Sequence, residues 1–148
     1  MRCNQPERPF EATLDPARDA VSAALALVTA FVSAAAIDED DAAKLAVIVE
    51  ELVSNIVEHG QVPDGGTIGL SLALGERDVN VAITDPGLFH DPRAVEDDAE
   101  LPPERGGGAG IRLVLAWSKI LSYRRVRDCN ELRLEVALYD AESDVLPT

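Results

Sequence analysis

The stretch EELVSNIVEHG, residues 50–60, carries three glutamates, an asparagine and a histidine among aliphatic residues. On a helix with about 100° per residue, Glu51 and Asn55 lie one turn apart at the border of the apolar face, whereas Glu50 lies on the opposite side. A carboxylate and an amide oxygen at such a border can hold a hydrated magnesium ion and activate a hydroxyl group or a water. The alternative is a solvated helix face with a common type of side-chain pair, and the stretch alone favours that alternative.

A second candidate is the stretch DPGLFHDP, residues 85–92, which follows an apolar run. At the end of a strand, Asp85 can present its carboxylate to an exocyclic amine of a ligand, and Gly87 allows the ligand close to the backbone. The alternative is a proline-glycine turn with an aspartate at its first position. By itself, this short stretch fits the turn better.

A third candidate is the stretch RGGGAGIRLV, residues 105–114. Glycines that lead into a helix expose backbone N–H groups, and with the helix dipole they form a cradle for phosphate. No Gly-Lys-Ser/Thr follows, so the stretch is not a Walker loop, and it lacks the spacing of the dinucleotide fingerprint. The alternative is a flexible linker that ends where a helix starts.

Apolar periodicity predicts the elements that position these residues. The expected helices are 16–36, 39–59 and 109–117, and the expected strands are 9–14, 67–74, 79–84, 119–126 and 131–138. We expect Asp15 and Pro16 to start the first helix, Asp38 to cap the second, and Gly60 to end the second in a left-handed conformation.

The order of these elements predicts the fold class. Consecutive hairpins, without regular alternation of strands and helices, indicate an α+β two-layer sandwich with the helices on one face of a mixed, mainly antiparallel sheet. Residues 85–108 are too long for an idle connection, so a lid or binding loop is expected there. We expect one domain over residues 1–148, with an ordered core at about 10–138 and an acidic tail at 139–148.

Composition excludes some partners. The 148 residues include 13 basic and 27 acidic ones, and the formal charge of −14 repels nucleic acid and anionic membranes. Residues 20–37 carry no charge, but 8 of these 18 residues are alanine and the stretch is flanked by acids, which favours a buried helix over a membrane span. Neither nucleic acid nor a membrane is therefore expected as a partner. Cys3 and Cys129 show no metal-type spacing, so a reduced, cytoplasmic protein is expected.

Taken in this order, the three stretches resemble the N, G1 and G2 boxes of the histidine-kinase-like (Bergerat-fold) ATPase superfamily. The short lid and the pattern D-x-G-x-x-x-D-P resemble most closely the anti-sigma-factor serine kinases of bacterial partner-switching systems. The likeness spans about Phe10 to Leu138. It implies the histidine-kinase-like ATPase fold, with ATP and Mg²⁺ as cofactors.

The resemblance also implies a role for each matching residue. Glu51 would be the general base or would position the attacking hydroxyl, Asn55 would bind magnesium, and Asp85 would recognise the adenine amino group with Gly87 beside it. The residues that would wrap or reach the phosphates as the lid closes are Arg105, Gly106, Gly108 and Gly110.

Three positions depart from the family pattern. Phe89 stands where a second G1 glycine is frequent, and His90 stands where an aromatic residue is usual. The stretch CNELRL, residues 129–134, lacks the Gly-Thr pair whose threonine hydroxyl lies near the adenine pocket. These departures predict nucleotide binding that is weakened or differently arranged.

The leading hypothesis is therefore a cytoplasmic serine-protein kinase that also acts as a binding switch. The family implies a sigma factor as one partner, a small antagonist protein phosphorylated on serine as the other, and a homodimer. The main alternative is a non-catalytic or nucleotide-gated protein-binding module of the same fold, which the missing threonine and the altered G1 box favour. A metal-dependent hydrolase using Glu51, Glu58 and His59 has little support, because no set of three ligands is visible.

Overall fold

The structure, a computed structural model, describes residues 9–94 and 109–139. The strands are β1 (Phe10–Leu14), β2 (Ile68–Leu74), β3 (Asp78–Asp85), β4 (Lys119–Val126) and β5 (Cys129–Ala137), and the helices are α1 (Ala20–Ala35), α2 (Glu39–His59) and α3 (Ala109–Trp117). The strands form one sheet in the order β1-β2-β3-β5-β4. A single 3₁₀ turn spans Pro92–Ala94.

The sheet is antiparallel at all four pairings of the described strands. The expected mixed sheet is therefore corrected to a wholly antiparallel one within residues 9–94 and 109–139. Two tight hairpins, β2–β3 and β4–β5, account for two of these pairings, and β5 runs beside β3 in the opposite direction. The predicted α+β two-layer fold is confirmed.

The core lies between the helices and one face of the sheet. Along β2 the buried residues are Ile68, Leu70 and Leu72, which alternate with half-buried ones as a strand covered on one face requires. The four buried residues of α1, spaced three or four positions apart, pack against this face together with the apolar side of α2. In the part of the chain that the structure describes, no helix has the length and apolarity to cross a membrane.

Two predicted helix ends were wrong. Asp15 accepts a hydrogen bond from the Ala17 N–H at 2.9 Å, so it caps a turn, and α1 begins only at Ala20. Gly60 has φ −74°, not a left-handed conformation, and the next residue, Gln61, has φ 48°. Gly60 stays close to helical geometry, since its N–H donates to the Ile56 carbonyl at 2.8 Å.

A buried aspartate in α2 bonds to the segment that follows β5, 98 positions later in the chain. Asp41, in the first turn of α2, accepts a hydrogen bond from the Tyr139 N–H at 2.8 Å. Lys44 lies 3.6 Å from the Asp41 carboxylate and donates to the Ala137 carbonyl at 2.7 Å. These contacts fix the end of β5 against the start of α2.

The last hairpin contains an irregularity that matters for the site. Its two turn residues, Arg127 and Asp128, both have positive φ, as a two-residue hairpin turn of the primed type requires. In β4 the pairing register shifts between Ile120 and Ser122. This bulge turns Tyr123 to the inner face, opposite Leu132, where regular alternation from Ile120 would have placed it outside.

Candidate functional site

A cavity of about 320 Å³ lies between the second half of α2, the segment after β3 and the first turn of α3. Most of its wall is apolar, and the polar residues that line it are Asn55, His59, Asp85 and His90. A concave, mainly apolar site with a few convergent polar groups is the usual form of a small-molecule site, and this volume falls in the range of such sites. Two of the predicted site residues, Asn55 and Asp85, therefore face one cavity.

Asp85 is the charged group in this cavity, and only 6% of its surface is exposed. Its Oδ1 accepts hydrogen bonds from the Gly87 N–H at 2.9 Å and from Asn130 Nδ2 at 3.2 Å. No fully buried side-chain oxygen or nitrogen in the described residues lacks a partner. Asp85 Oδ2 takes part in neither bond, and because Asp85 lines the cavity, this is the oxygen that we assign to a ligand.

Gly87 is required by the close approach of two backbone segments. A Cβ on Gly87 would overlap the Gly60 carbonyl oxygen and would lie 2.9 Å from Asp85 Oδ1. The Gly60 carbonyl accepts a hydrogen bond from the Leu88 N–H at 2.7 Å. The end of α2 and the turn after β3 are thus joined directly behind the cavity, and a larger residue at 87 would separate them.

Glu51 lies beside the start of α3. It is half-buried, one turn before Asn55, and a Cβ on Gly110 would overlap its carboxylate. Glu50 is exposed, as the helical wheel predicts. Gly110 is thus placed next to Glu51 at the N-terminal turn of α3, where the helix dipole favours negative charge. Glu51 itself does not line the cavity.

Two aromatic residues form one side of the cavity. The rings of Phe89 and Tyr123 lie 4.9 Å apart between centroids, with 39° between their planes. The Tyr123 hydroxyl accepts a hydrogen bond from the His90 N–H at 3.0 Å. Burial raises the pKa of the Tyr123 phenol, and the bond from His90 partly offsets this rise. Phe89, which stands in place of a family glycine, therefore contributes an apolar surface that is 54% exposed.

Sequence reasoning missed Asn130, Arg125 and Tyr123. Asn130 is fully buried and pairs with Asp85 across the β3–β5 ladder, and Arg125 Nη1 donates to its Oδ1 at 3.1 Å. The signal that could have found Asn130 is an amide inside an otherwise alternating strand, at the stretch where the family threonine is absent. Tyr123 carries no such signal, because the bulge decides where it points.

The remaining predicted phosphate ligands, Arg105, Gly106 and Gly108, lie outside the described residues. Within residues 9–94 and 109–139, no group of three or more His, Cys, Asp and Glu side chains could hold a metal ion. Magnesium usually keeps several waters and takes one or two protein oxygens together with substrate phosphates. The donors present, the Asn55 amide oxygen in the cavity and the Glu51 carboxylate one turn away, fit such a shared site and do not form a protein cage.

The fold and this cavity define a nucleotide-binding ATPase domain, and comparison with known proteins identifies its family. Residues 13–136 match the histidine kinase-like ATPase domain. The chain therefore belongs to the histidine kinase-like ATPase domain family, and the resemblance stated from the three boxes is confirmed. Because the matched domain is an ATPase, ATP is the nucleotide that the domain uses.

Two curated relatives are protein kinases by name. The chain is 29% identical over 121 residues to the serine-protein kinase RsbW of Halalkalibacterium halodurans, covering 77% of this chain and 74% of that protein. It is 32% identical over 94 residues to the serine/threonine-protein kinase BtrW of Bordetella bronchiseptica, covering 61% of this chain and 66% of that protein.

A solved structure shares the fold. The crystal structure of the RsbU and RsbW domains of a Mycobacterium tuberculosis protein superposes with a TM-score of 0.60 at 21% identity. The match covers 90% of this chain and 33% of that chain. This chain thus spans about a third of the length of the solved one, and the likeness concerns the fold.

Proposed function

We propose that the chain is an ATP-dependent serine-protein kinase that phosphorylates a small antagonist protein on serine and also acts as an anti-sigma factor. The observation that carries the proposal is the convergence of Asp85 and Asn55 on one cavity, with Glu51 beside it at the start of α3. The names of the two relatives, both protein kinases, support the same activity.

Different residues of the cavity contact the adenine base and the phosphates. Asp85 Oδ2 accepts the hydrogen bond of the adenine amino group, and the Phe89–Tyr123 pair gives the base an apolar surface. Asn55 would hold Mg²⁺ through its amide oxygen, and the ion supplies neutralisation of phosphate charge. The resemblance assigns phosphate binding to Arg105, Gly106 and Gly108, together with Gly110.

Glu51 acts on the incoming serine. It lies one turn from Asn55, the residue that would hold Mg²⁺, so a serine hydroxyl brought to this end of the cavity would come within reach of its carboxylate. As a general base, or as the group that orients the hydroxyl, Glu51 contributes mainly by position. The protein partners are a sigma factor and the antagonist, the chain pairs as a homodimer, and the protein works in the cytoplasm.

Phosphoryl transfer tests the proposal. The protein is mixed with labelled ATP, Mg²⁺ and candidate small antagonist proteins, and label on serine is measured. We expect Glu51→Gln to lower the transfer rate by about 100-fold or more, while ATP affinity measured by calorimetry changes little. The matched control is Glu50→Gln, which alters an exposed neighbour of the same chemistry and keeps full activity. Transfer that persists in Glu51→Gln would contradict the role of Glu51.

One observation favours a second candidate, the non-catalytic or nucleotide-gated binding module. Glu51 does not line the cavity, and its carboxylate is packed against Gly110. If that contact holds the carboxylate away from the serine, ATP binds without transfer. Wild-type protein that binds ATP, transfers no label and changes its affinity for the sigma factor when ATP is added would establish this module in place of the kinase.

A further inference from the structure

Asn130 makes more hydrogen bonds than a strand residue needs. Its side chain is 0% exposed, and Nδ2 lies within hydrogen-bond distance of three acceptors: Asp85 Oδ1 at 3.2 Å, the Gly87 carbonyl at 3.1 Å and the Leu88 carbonyl at 2.8 Å. Its Oδ1 accepts a hydrogen bond from Arg125. The two protons of one amide are thus shared among the charged residue of the cavity and the turn that follows it.

Arg125, an exposed residue directly opposite Asn130 in β4, supports this arrangement. Its Nη1 donates to Asn130 Oδ1 at 3.1 Å and to the Gly87 carbonyl at 3.0 Å, and its Nη2 donates to the Asp128 carbonyl at 3.2 Å. Arg125 pairs with Asn130 in the β4–β5 register, and the tight hairpin turn keeps the two side by side. The guanidinium therefore fixes the amide with its NH₂ group towards Asp85.

These hydrogen bonds determine which oxygen of Asp85 faces the ligand. Asn130 and the Gly87 N–H both bond to Oδ1, so the carboxylate cannot rotate without losing two hydrogen bonds. The oxygen left for the cavity is Oδ2, and a carboxylate oxygen accepts hydrogen bonds but does not donate them. A purine with an amino group at C6 satisfies this oxygen, whereas a 6-oxo purine would place a second acceptor against it.

We propose that Asn130, held by Arg125, is the positioning residue that makes this site select a 6-aminopurine nucleotide over a 6-oxopurine nucleotide. The proposal rests on the nucleotide binding described under Proposed function. Two of the three acceptors of Asn130 are carbonyls of the turn at the cavity, outside the β3–β5 ladder, so its bonds fix the turn and the carboxylate together. Asn130 itself touches Asp85 and the turn, and it acts on the base through them.

The test compares ATP with inosine triphosphate, which differs from it by an oxo group in place of the amino group at C6. Binding of each, with Mg²⁺, is measured by calorimetry to wild type and to Asn130→Ala. We expect wild type to prefer ATP by at least about 100-fold, as a site built around a hydrogen bond does. In Asn130→Ala we expect ATP to bind about tenfold more weakly and the preference to fall below about tenfold.

Asp41→Ala is the matched control, because Asp41 is also a buried polar residue, but it lies in the first turn of α2 and bonds to Tyr139, beyond the far end of β5 from Asn130. It should lower stability and leave the ratio of the two affinities within about twofold of wild type, as expected for a distant site. Should Asn130→Ala fail to fold, Arg125→Gln replaces an exposed residue and is expected to lower the ratio in the same direction by about threefold or more.

The outcomes separate this inference from the proposed function. If wild type binds ATP and inosine triphosphate with equal affinity, the role of Asn130 is overturned and nucleotide binding stands. The same conclusion follows if both affinities fall by the same factor in Asn130→Ala. If wild type binds neither nucleotide, the proposed function fails and this inference fails with it. A selective loss confined to Asn130→Ala and Arg125→Gln supports the assignment.

Discussion

Gly110 offers a direct test of where Glu51 lies. A Cβ on Gly110 would overlap the Glu51 carboxylate. In a helix without such a contact, replacing glycine by alanine stabilises by about 0.5–1 kcal/mol. The atoms in the way belong to the end of a half-buried, flexible side chain that can shift, so the cost lies at the lower end of the range of about 1–3 kcal/mol for overfilling, and we expect Gly110→Ala to lower the free energy of unfolding by up to about 1 kcal/mol in total.

The sign of this effect should reverse when the carboxylate is removed. In a Glu51→Ala background the added methyl group meets no obstacle, and Gly110→Ala should stabilise by about 0.5–1 kcal/mol. The two changes are therefore coupled by about 1 kcal/mol, above the deviation of about 0.5 kcal/mol expected for independent sites. Urea unfolding of the four proteins, with unchanged slopes, measures this coupling.

Glu58→Ala is the control background, because Glu58 is an exposed glutamate on the same helix. In that background Gly110→Ala should destabilise as much as it does in wild type. Stabilisation by Gly110→Ala in both the wild-type and the Glu51→Ala backgrounds, with no coupling between the changes, would refute the placement of Glu51 against α3. It would also remove the structural basis for assigning Glu51 a position beside the phosphates.

Two further changes test the last hairpin. Burial raises the pKa of Tyr123 from its ordinary value of 10.0, so the folded state holds this proton more tightly than the unfolded chain, and the stabilisation is complete below that value and lost as pH rises through the folded pKa. We expect the free energy of unfolding to fall with pH above about 10 more steeply in wild type than in Tyr123→Phe, as measured by urea unfolding. Replacing Arg127 and Asp128 by Asn and Gly should stabilise by about 1 kcal/mol, because both positions have positive φ; an unchanged midpoint would contradict the turn assignment.

Much of the fold could be predicted because it depends on local patterns. Apolar residues repeat with a helical period through α2, and alternation marks β2 and β3, so these elements were expected close to their observed bounds. The errors lie at helix ends, where a single hydrogen bond determines at which residue the helix begins or how it ends. Asp15 bonds to the Ala17 N–H and so caps a turn before the helix, and Gly60 turns its carbonyl to Leu88, a residue distant in sequence.

In the candidate site too, local patterns could be predicted from the sequence and contacts between distant residues could not. Glu51 and Asn55 could be separated from Glu50 because the geometry of one helix fixes their directions, and Asp85 could be placed because it ends an apolar strand. Asn130 could be noticed as an amide in an alternating strand, but its role could not be predicted, since that role arises from the β3–β5 register, which brings together two residues 45 positions apart in the chain.

The absence of the family threonine predicts nucleotide binding that is weakened or differently arranged, and Asn130 gives the second possibility a physical form. A hydroxyl has one proton to donate, whereas the Asn130 amide has two and bonds at once to Asp85 and to the turn carbonyls. The bulge in β4 has a similar effect, because it brings Tyr123 to the inner face beside Phe89, which replaces a family glycine. Both departures therefore concern residues at the same cavity wall, where Phe89 and Tyr123 add apolar surface and Asn130 fixes the turn after β3.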